Sequence, residues 1–245
     1  MFPIRDHNPS GGTPFVTYAL IAVNIAVFLA YWLTLQTEDQ LNQFFYDWGL
    51  VPDRLLAGYS PATAITHMFL HGGWMHLAGN MLFLWIFGDN LEDELGHVGF
   101  ALFYLASGFA AAGLQVAADV TSGVPMIGAS GAIAGVLGGY LVLFPRARVD
   151  VLFIFVIFFR IFAIPAWVVL GVWFGIQLFN GVNASADGVA YLAHVGGFIG
   201  GAVLILPALL RRGGFAFWAR TAGHPPHPAA DYKVSKSSIP RVGRR

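Results

Sequence analysis

The chain has 245 residues, of which 57% are hydrophobic and only 11% are charged, whereas an ordinary soluble domain is about 25% charged. Its thirteen basic and thirteen acidic residues cancel, so net charge provides no argument for nucleic-acid binding. There is no cysteine, which excludes disulfides, cysteine-ligated zinc or iron–sulfur centres, and thiol catalysis.

Six apolar stretches approach the roughly 20 residues that a membrane-spanning helix needs. They predict an all-α membrane protein with a six-transmembrane-helix bundle. The stretch 151–159 is too short to span alone, and it either extends the fifth helix or lies at the membrane interface. The six candidate spans are 15–35, 74–87, 98–117, 129–144, 164–179 and 189–210.

Three regions follow from this pattern. Residues 1–14 are polar and lack the apolar core of a signal peptide, so the first span is read as retained. Residues 15–210 form the membrane domain, with an outer loop at 36–66 whose aromatics suggest contact with the membrane surface. Residues 211–245 are basic and rich in proline, and they are predicted to be a disordered tail.

The arginines and lysines predict the orientation. With a cytoplasmic N-terminus, Arg54 is the one basic residue expected in an outer loop, and the other twelve basic residues fall on the inner side. Positive charge is concentrated in cytoplasmic loops of membrane proteins. Both termini are therefore expected to be cytoplasmic.

Three polar clusters lie within apolar spans, where polar residues are expensive and usually functional. They read HGGWMHLAGNM from His71, GASG around Ser130, and AHVGG around His194. With the N-terminus inside, all three fall in the outer half of the membrane. His194 follows about six apolar residues, which places it roughly 9 Å below the surface, and the short fourth span places Ser130 at a similar depth.

Glycines recur every four residues in the fourth and sixth spans and predict close helix packing, which would bring Ser130 and His194 together. An imidazole can take the proton of a serine hydroxyl. His76 and Asn80 share a helix face and can donate hydrogen bonds to an oxyanion. No carboxylate lies in the outer parts of these spans, so a Ser–His dyad is the economical interpretation.

Each feature also has a purely structural interpretation. Serine in a glycine-rich helix is usually a packing residue, and a lone histidine in the membrane often serves packing, proton relay or haem binding. Asn80 could simply hold two helices together. Catalysis is favoured by the conjunction of these groups at one depth.

The motifs HGGWMHLAGNM, GASGAIAG and AHVGGFIGG, in this order on alternate spans, resemble those of the rhomboid intramembrane serine proteases. The resemblance covers about 15–210. It implies that Ser130 is the nucleophile and His194 the general base, with His76, Asn80 and the Ser130 backbone N–H in the oxyanion hole. It further implies that His71 is a supporting residue and that Gly128 and Gly131 flank the nucleophile.

The resemblance also implies a site open to water from the outer side, substrate entry near 164–179 and the following loop 180–188, and no metal or organic cofactor. The partners are then the lipid bilayer and transmembrane protein substrates, and the location is a prokaryotic cell membrane.

Two features depart from the family pattern. Ala134 stands where some members have an aromatic that stacks on the histidine, and the first loop lacks a Trp-Arg pair. Tyr191 is a candidate to support His194 instead.

Two rival functions remain open. One is a haem or metal protein that uses His67, His71, His76 and His194, although no acidic ligand accompanies these histidines. The other is a non-catalytic helix binder or a transporter, since broken helices and glycine motifs also occur there. The substrate, its cleavage sequence and the oligomeric state do not follow from the sequence.

Overall fold

The computed structural model describes residues 2–155, 158–183, 189–230 and 232. Residues 184–188 of the loop 180–188, residues 156–157 of the stretch 151–159, and the tail from 233 onward lie outside the described residues. The elements in chain order are β1 (Phe2–Asp6), α1 (Phe15–Trp32), α2 (Glu38–Trp48), α3 (Pro52–Leu56), α4 (Thr63–Thr66), a 3-10 turn (His67–Phe69), α5 (Trp74–Ala118), α6 (Ser130–Leu143), β2 (Arg148–Phe155), β3 (Phe158–Pro165), α7 (Ala166–Val182), α8 (Tyr191–Leu204), α9 (Leu206–Arg211) and α10 (Phe215–Thr221).

The molecule is mostly helical, as predicted, and the apolar stretches coincide with α1, the two halves of α5, α6, α7 and α8–α9. Within the described residues, three helices are long and apolar enough to cross a membrane, namely 15–32, 74–118 and 191–211. Helices α6 and α7 are apolar but shorter. A bundle of six membrane-crossing helices therefore stays a prediction.

The second and third predicted spans form one element, α5, that breaks at Gly96. This glycine has a φ of 68° and a ψ of 166°, in the left-handed region that favours glycine. Just before the break, the Glu92 carboxylate accepts hydrogen bonds of 2.8 Å from the backbone N–H groups of Val16 and Thr17 and from the Thr17 hydroxyl. It thereby satisfies N–H groups that the first turn of α1 leaves without intrahelical partners.

Contacts between distant residues divide the bundle into two ends. At the end that carries strands β1, β2 and β3, which we call the sheet end, the Tyr140 hydroxyl near the end of α6 donates to Asp6 of β1 at 2.6 Å. Arg212 after α9 lies 2.5 Å from Glu94 near the break in α5. The start of α5, the end of α5 and the starts of α6 and α8 lie together at the opposite end, which we call the site end.

Glycine faces hold α6 and α8 together, as the spacing predicted. A Cβ atom on Gly197 would overlap the carbonyl oxygen of Gly131, and one on Gly201 would overlap that of Gly135. Such contact between helix backbones is possible only without side chains. The second glycine face of α8 packs elsewhere, since a Cβ on Gly196 would lie 2.7 Å from the Cβ of Leu114 on α5.

The all-α expectation is wrong for the stretch 151–159 and for the polar N-terminus. Both contribute to an antiparallel three-stranded sheet of order β1-β2-β3. Its residues are mainly β-branched and aromatic, which favour strands. The described residues of the stretch 151–159 thus do not extend the fifth helix, because their backbone hydrogen bonds are made to neighbouring strands. A location at the membrane interface stays a prediction.

The expectation of disorder from residue 211 onward is wrong for the first part of the tail. Residues Phe215–Thr221 form α10, and the Gly223 carbonyl accepts a 2.8 Å hydrogen bond from the Arg146 backbone N–H. Its apolar residues supply the reason, because Phe217 is buried against the core.

The outer loop 36–66 contains α2, α3 and α4, and α2 begins with a capping box between Thr37 and Gln40.

Candidate active site

A cavity of about 500 Å³ opens at the site end of the bundle. Its wall includes the 122–128 loop, the first residues of α6 and the first turns of α8. Ser130, His194, His76, Gly128, Gly131 and Gln115 are among the lining residues. Five of the residues singled out from the sequence therefore face one space.

Ser130 and His194 are hydrogen-bonded to each other. The serine is the first residue of α6, the histidine lies in the first turn of α8, and Ser130 Oγ is 2.8 Å from His194 Nε2. The glycine contacts between the two helices allow this approach. Because α6 begins at Ser130, its first backbone N–H groups have no intrahelical acceptor and provide a region that favours negative charge.

The other ring nitrogen of His194 contacts a residue that sequence reasoning missed. Gln177 on α7 places its Oε1 atom 2.7 Å from His194 Nδ1. Because an amide oxygen only accepts hydrogen bonds, Nδ1 carries the proton, and Nε2 is left free to accept from Ser130. A polar amide among the apolar residues of a predicted span was the signal that could have revealed Gln177.

Two aromatic rings flank His194. The Trp173 ring centroid lies 5.9 Å from that of His194 with an interplanar angle of 34°, and the Tyr191 ring is nearly perpendicular at 6.3 Å. The Tyr191 ring thus lies near the histidine, and a supporting role for it stays a prediction. Trp173 on α7 is nearer and more nearly parallel, and it covers the histidine although Ala134 offers no aromatic side chain.

His76 also lies close to the serine. A Cβ atom built on Gly128 would be 2.9 Å from His76 Nε2 and 3.3 Å from Ser130 Oγ, so both side chains border the same small space. Gly128 also has a φ of 129°, which disfavours other residues. The Gly72 N–H points at His76 Nδ1 at 3.3 Å, which favours a proton on Nε2, facing the serine.

Asn80 and His71 contact His76 but do not line the cavity. The Asn80 amide donates to the His76 carbonyl at 2.9 Å, and Asn80 is not among the residues that line the cavity. The backbone of His71 is held by Tyr31, whose hydroxyl donates to the His71 carbonyl at 2.6 Å and accepts from its N–H at 2.9 Å. The His71 ring meets the His76 ring edge-on at 5.0 Å.

Among the described residues, no three His, Asp or Glu side chains converge so that they could hold a metal ion. His67 is buried, and its Nδ1 donates to the Thr63 carbonyl at 2.7 Å.

A family model for the rhomboid domain matches residues 58–211 of the chain. The chain belongs to the rhomboid family. With its apolar helices, this makes it a rhomboid membrane protein. The matched segment contains the seven site residues predicted from the sequence as well as Gln177.

Comparison with individual proteins finds further rhomboid relatives. The chain is 32% identical over 190 residues to "Rhomboid protease GluP" of Bacillus subtilis, covering 78% of this chain and 34% of that protein. It is 31% identical over 193 residues to "Rhomboid protein 1, mitochondrial" of Saccharomyces cerevisiae, covering 74% of this chain and 50% of that protein. The rhomboid chain thus spans a third to a half of the length of these relatives.

Proposed function

We propose that this rhomboid protein is an intramembrane serine endopeptidase that cleaves transmembrane segments of other membrane proteins with a Ser130–His194 dyad. The observation that carries the proposal is the 2.8 Å contact between Ser130 Oγ and His194 Nε2 at the edge of an open cavity. Similarity to a protein named as a rhomboid protease adds support.

In the first half of the reaction, Ser130 Oγ attacks the carbonyl carbon of a substrate peptide bond and its proton passes to His194 Nε2. The carbonyl oxygen becomes an oxyanion, for which the donors are the Ser130 backbone N–H and His76 Nε2–H. A single such donor typically contributes about 3–4 kcal/mol to the barrier. When the C–N bond breaks, the imidazolium returns the proton to the leaving amine and an acyl-enzyme remains.

In the second half, water enters from the cavity and attacks the acyl carbon. His194 accepts a proton from this water and then returns it to Ser130 Oγ as the ester bond breaks. The carboxyl product leaves and the dyad is restored. This chemistry requires neither a metal ion nor an organic cofactor.

For Asn80 we propose a positioning role, which differs from the direct contact that the sequence suggested. Its amide donates to the carbonyl of His76 in the same helix. That contact lets it support the His76 turn, while His76 itself faces the nucleophile. Gly128 and Gly131 leave room for the substrate backbone next to Ser130.

We also propose that the sheet end is cytoplasmic and that the site opens outward. Among the described residues, Arg5, Arg146, Arg148, Arg211, Arg212 and Arg220 lie near the sheet end. Arg54 hydrogen-bonds the Tyr46 carbonyl on α2, in the loop between α1 and α5. This asymmetry matches the positive-inside rule. Residence in a prokaryotic membrane stays a prediction, since the relatives include a mitochondrial protein.

The test is cleavage of a panel of transmembrane reporters by the purified protein in liposomes. Wild type is expected to cleave at least one reporter and to react with a fluorophosphonate, while Ser130→Ala and His194→Ala do neither. Gly73→Ala is a suitable control, because a Cβ there meets nothing within 4 Å. Equal cleavage by wild type and Ser130→Ala would rule out the nucleophile, and binding of reporters without any cleavage or labelling would favour a helix-binding protein.

A further inference from the structure

Gln177 is an unusual residue for its helix. Of the seventeen residues of α7, only Ala166, Leu170 and Gln177 are buried. An amide removed from water costs free energy unless it is hydrogen-bonded. The contact between Gln177 Oε1 and His194 Nδ1 at 2.7 Å provides that bond, so α7 turns its polar side chain toward the dyad.

We infer that Gln177 is a positioning residue that holds His194 in the tautomer and orientation that serine activation needs. This inference rests on the proposed protease function. With Nδ1–H donating to the amide oxygen, the lone pair of Nε2 points at Ser130 Oγ. A neutral amide performs this task without placing a negative charge in the membrane, where charges are costly.

The arrangement also makes the dyad depend on α7. Ser130 and His194 lie on α6 and α8, which are joined by their glycine faces, whereas Gln177 comes from a third helix with much of its surface exposed. Trp173, one turn earlier on α7, lies against the same histidine. Docking of α7 therefore supplies both the hydrogen bond and the ring that hold His194.

Gln177→Leu and Gln177→Glu separate positioning from packing. Leucine retains the volume but accepts no hydrogen bond, whereas a glutamic side chain accepts from Nδ1–H whether it is charged or neutral. We expect Gln177→Leu to lower kcat roughly 100-fold, the size of effect that a misplaced catalytic group produces, with KM within a factor of three and an unchanged thermal midpoint. Gln177→Glu should restore most of kcat.

An unchanged kcat in Gln177→Leu, beside an inactive Ser130→Ala, would overturn the positioning role while leaving the protease function intact. A kcat of Gln177→Glu as low as that of Gln177→Leu would also overturn the positioning role. Failure of the wild type to cleave or label would instead sink the protease proposal.

A second readout needs no substrate. In ¹⁵N-histidine NMR, with His194→Ala used to assign the signal, wild type should show His194 protonated at Nδ1 at neutral pH. Gln177→Leu should shift this signal toward the other tautomer. A signal that is the same in both proteins contradicts the inference, and Ile176→Leu on the exposed face of α7 is the matched control.

A separate observation concerns the β2–β3 hairpin at the sheet end. Both faces of this hairpin carry exposed apolar side chains, and β3 is the edge strand of the sheet. The exposed fractions are 47% for Ile154, 64% for Phe159, 47% for Ile161 and 53% for Phe162. Soluble proteins protect edge strands with charges or prolines. Strand β3 has one of each, Arg160 and Pro165 at its end, and the other described residues of the strand are apolar.

We propose that this apolar hairpin, defined by Ile154, Phe159, Ile161 and Phe162, sits in the headgroup–acyl boundary of the bilayer at the sheet end. Strand β3 leads directly into α7, whose first exposed side chain is the 56% exposed Trp167. The apolar surface of the hairpin is therefore continuous with that of a predicted membrane helix. Tryptophan is typical of membrane interfaces.

The depth follows from the remaining polar groups. An unpaired strand edge cannot lie in hydrocarbon, because its backbone groups would have no partners there. Arg160 is exposed and can extend its guanidinium toward lipid phosphates while its stem covers apolar surface. Both features place the hairpin at the interface.

The absence of cysteine from the chain makes single-cysteine labelling possible. Nitroxide labels at Phe159→Cys and Phe162→Cys, in liposomes of phosphatidylcholine and phosphatidylglycerol, are compared by their relaxation with oxygen and with a water-soluble nickel chelate. Val172→Cys on α7 is the lipid-facing control, and Gly123→Cys in the loop before α6 is the aqueous control.

We expect the relaxation of the labels at 159 and 162 to be faster with oxygen than with the nickel chelate, as for the label at 172. Dominance of the nickel chelate, as at 123, would show that the hairpin lies in water. Dipolar broadening between labels on two molecules would show that a second copy covers the edge strand, and this too overturns lipid contact.

Discussion

The two ends of the bundle use polar residues in opposite ways. At the sheet end, Asp150 binds two basic side chains, since it accepts from Arg5 at 2.7 Å and from His7 at 2.8 Å. At the site end, Ser130, His194 and His76 border an open cavity. Polar groups that hold a fold complete their hydrogen bonds internally, and groups that act on a ligand keep capacity for it. Four predictions, from the largest effect to the smallest, probe this contrast.

The contact between α6 and α8 supports both ends. We expect Gly201→Leu to prevent folding, because its side chain would overlap the backbone of Gly135. The measurement is the yield of monodisperse protein together with reporter cleavage, and both should be lost. Gly175→Leu is the matched control, since a Cβ at Gly175 meets nothing within 4 Å. Normal folding of Gly201→Leu would mean that the helices are not in backbone contact.

At the site end, Gly128→Ala should damage catalysis more than stability. The new methyl group would press against His76 Nε2 and Ser130 Oγ, and the φ of 129° adds strain. We expect kcat/KM to fall roughly 100-fold, with a small decrease in the thermal midpoint. Kinetics and thermal unfolding of the same preparation, beside Gly73→Ala, provide the check. A proportional loss in both quantities would argue against a local effect.

At the sheet end, Asp150→Asn should have the reverse effect. It removes the carboxylate that joins Arg5 and His7 to β2, and the hydrogen bonds of Arg5 and His7 lower the pKa of Asp150 despite its burial. Since bonds to charged groups contribute about 1.5–3 kcal/mol each, we expect a loss of about 2 kcal/mol in unfolding free energy. Activity per folded molecule should be unchanged, and a lower kcat at full stability would contradict this division.

Asp6 predicts a smaller effect that depends on pH. Burial raises the pKa of Asp6 to about 7, although the hydrogen bond from Tyr140 lowers it. A raised acid pKa means that, between about pH 4 and pH 7, the folded protein holds a proton that the unfolded chain has lost, so stability falls as the pH rises toward 7 and levels off above it. The change between pH 6 and pH 8 is about 1 kcal/mol.

Thermal unfolding of wild type and Asp6→Asn across this pH range measures the effect. The stability of Asp6→Asn should decrease less with rising pH than the stability of wild type. Identical slopes in the two proteins would show that another group dominates this pH range.

Local patterns were sufficient where a residue's role depends on its own helix. The apolar stretches predicted α1, α6 and α7 within a few residues, and the glycine repeats predicted which helices make contact. Patterns failed where the partner comes from elsewhere in the chain. The stretch 151–159 is apolar enough for several structures, and the pairing of β2 with β1 from the far N-terminus and with β3 makes its described residues strands. Burial of Phe217 likewise orders a segment that its polar composition assigned to disorder.

The sequence by itself determined that this is a membrane-embedded rhomboid chain, because hydropathy and short motifs are local properties. It also singled out Ser130 and His194, since polar residues in apolar helices are conspicuous. The tertiary structure alone decided that Gln177 contacts His194 Nδ1, that the Trp173 ring lies near the same histidine, and that Asn80 bonds to the backbone of His76. These are contacts between side chains whose direction depends on how the helices pack, and a linear pattern does not contain that information.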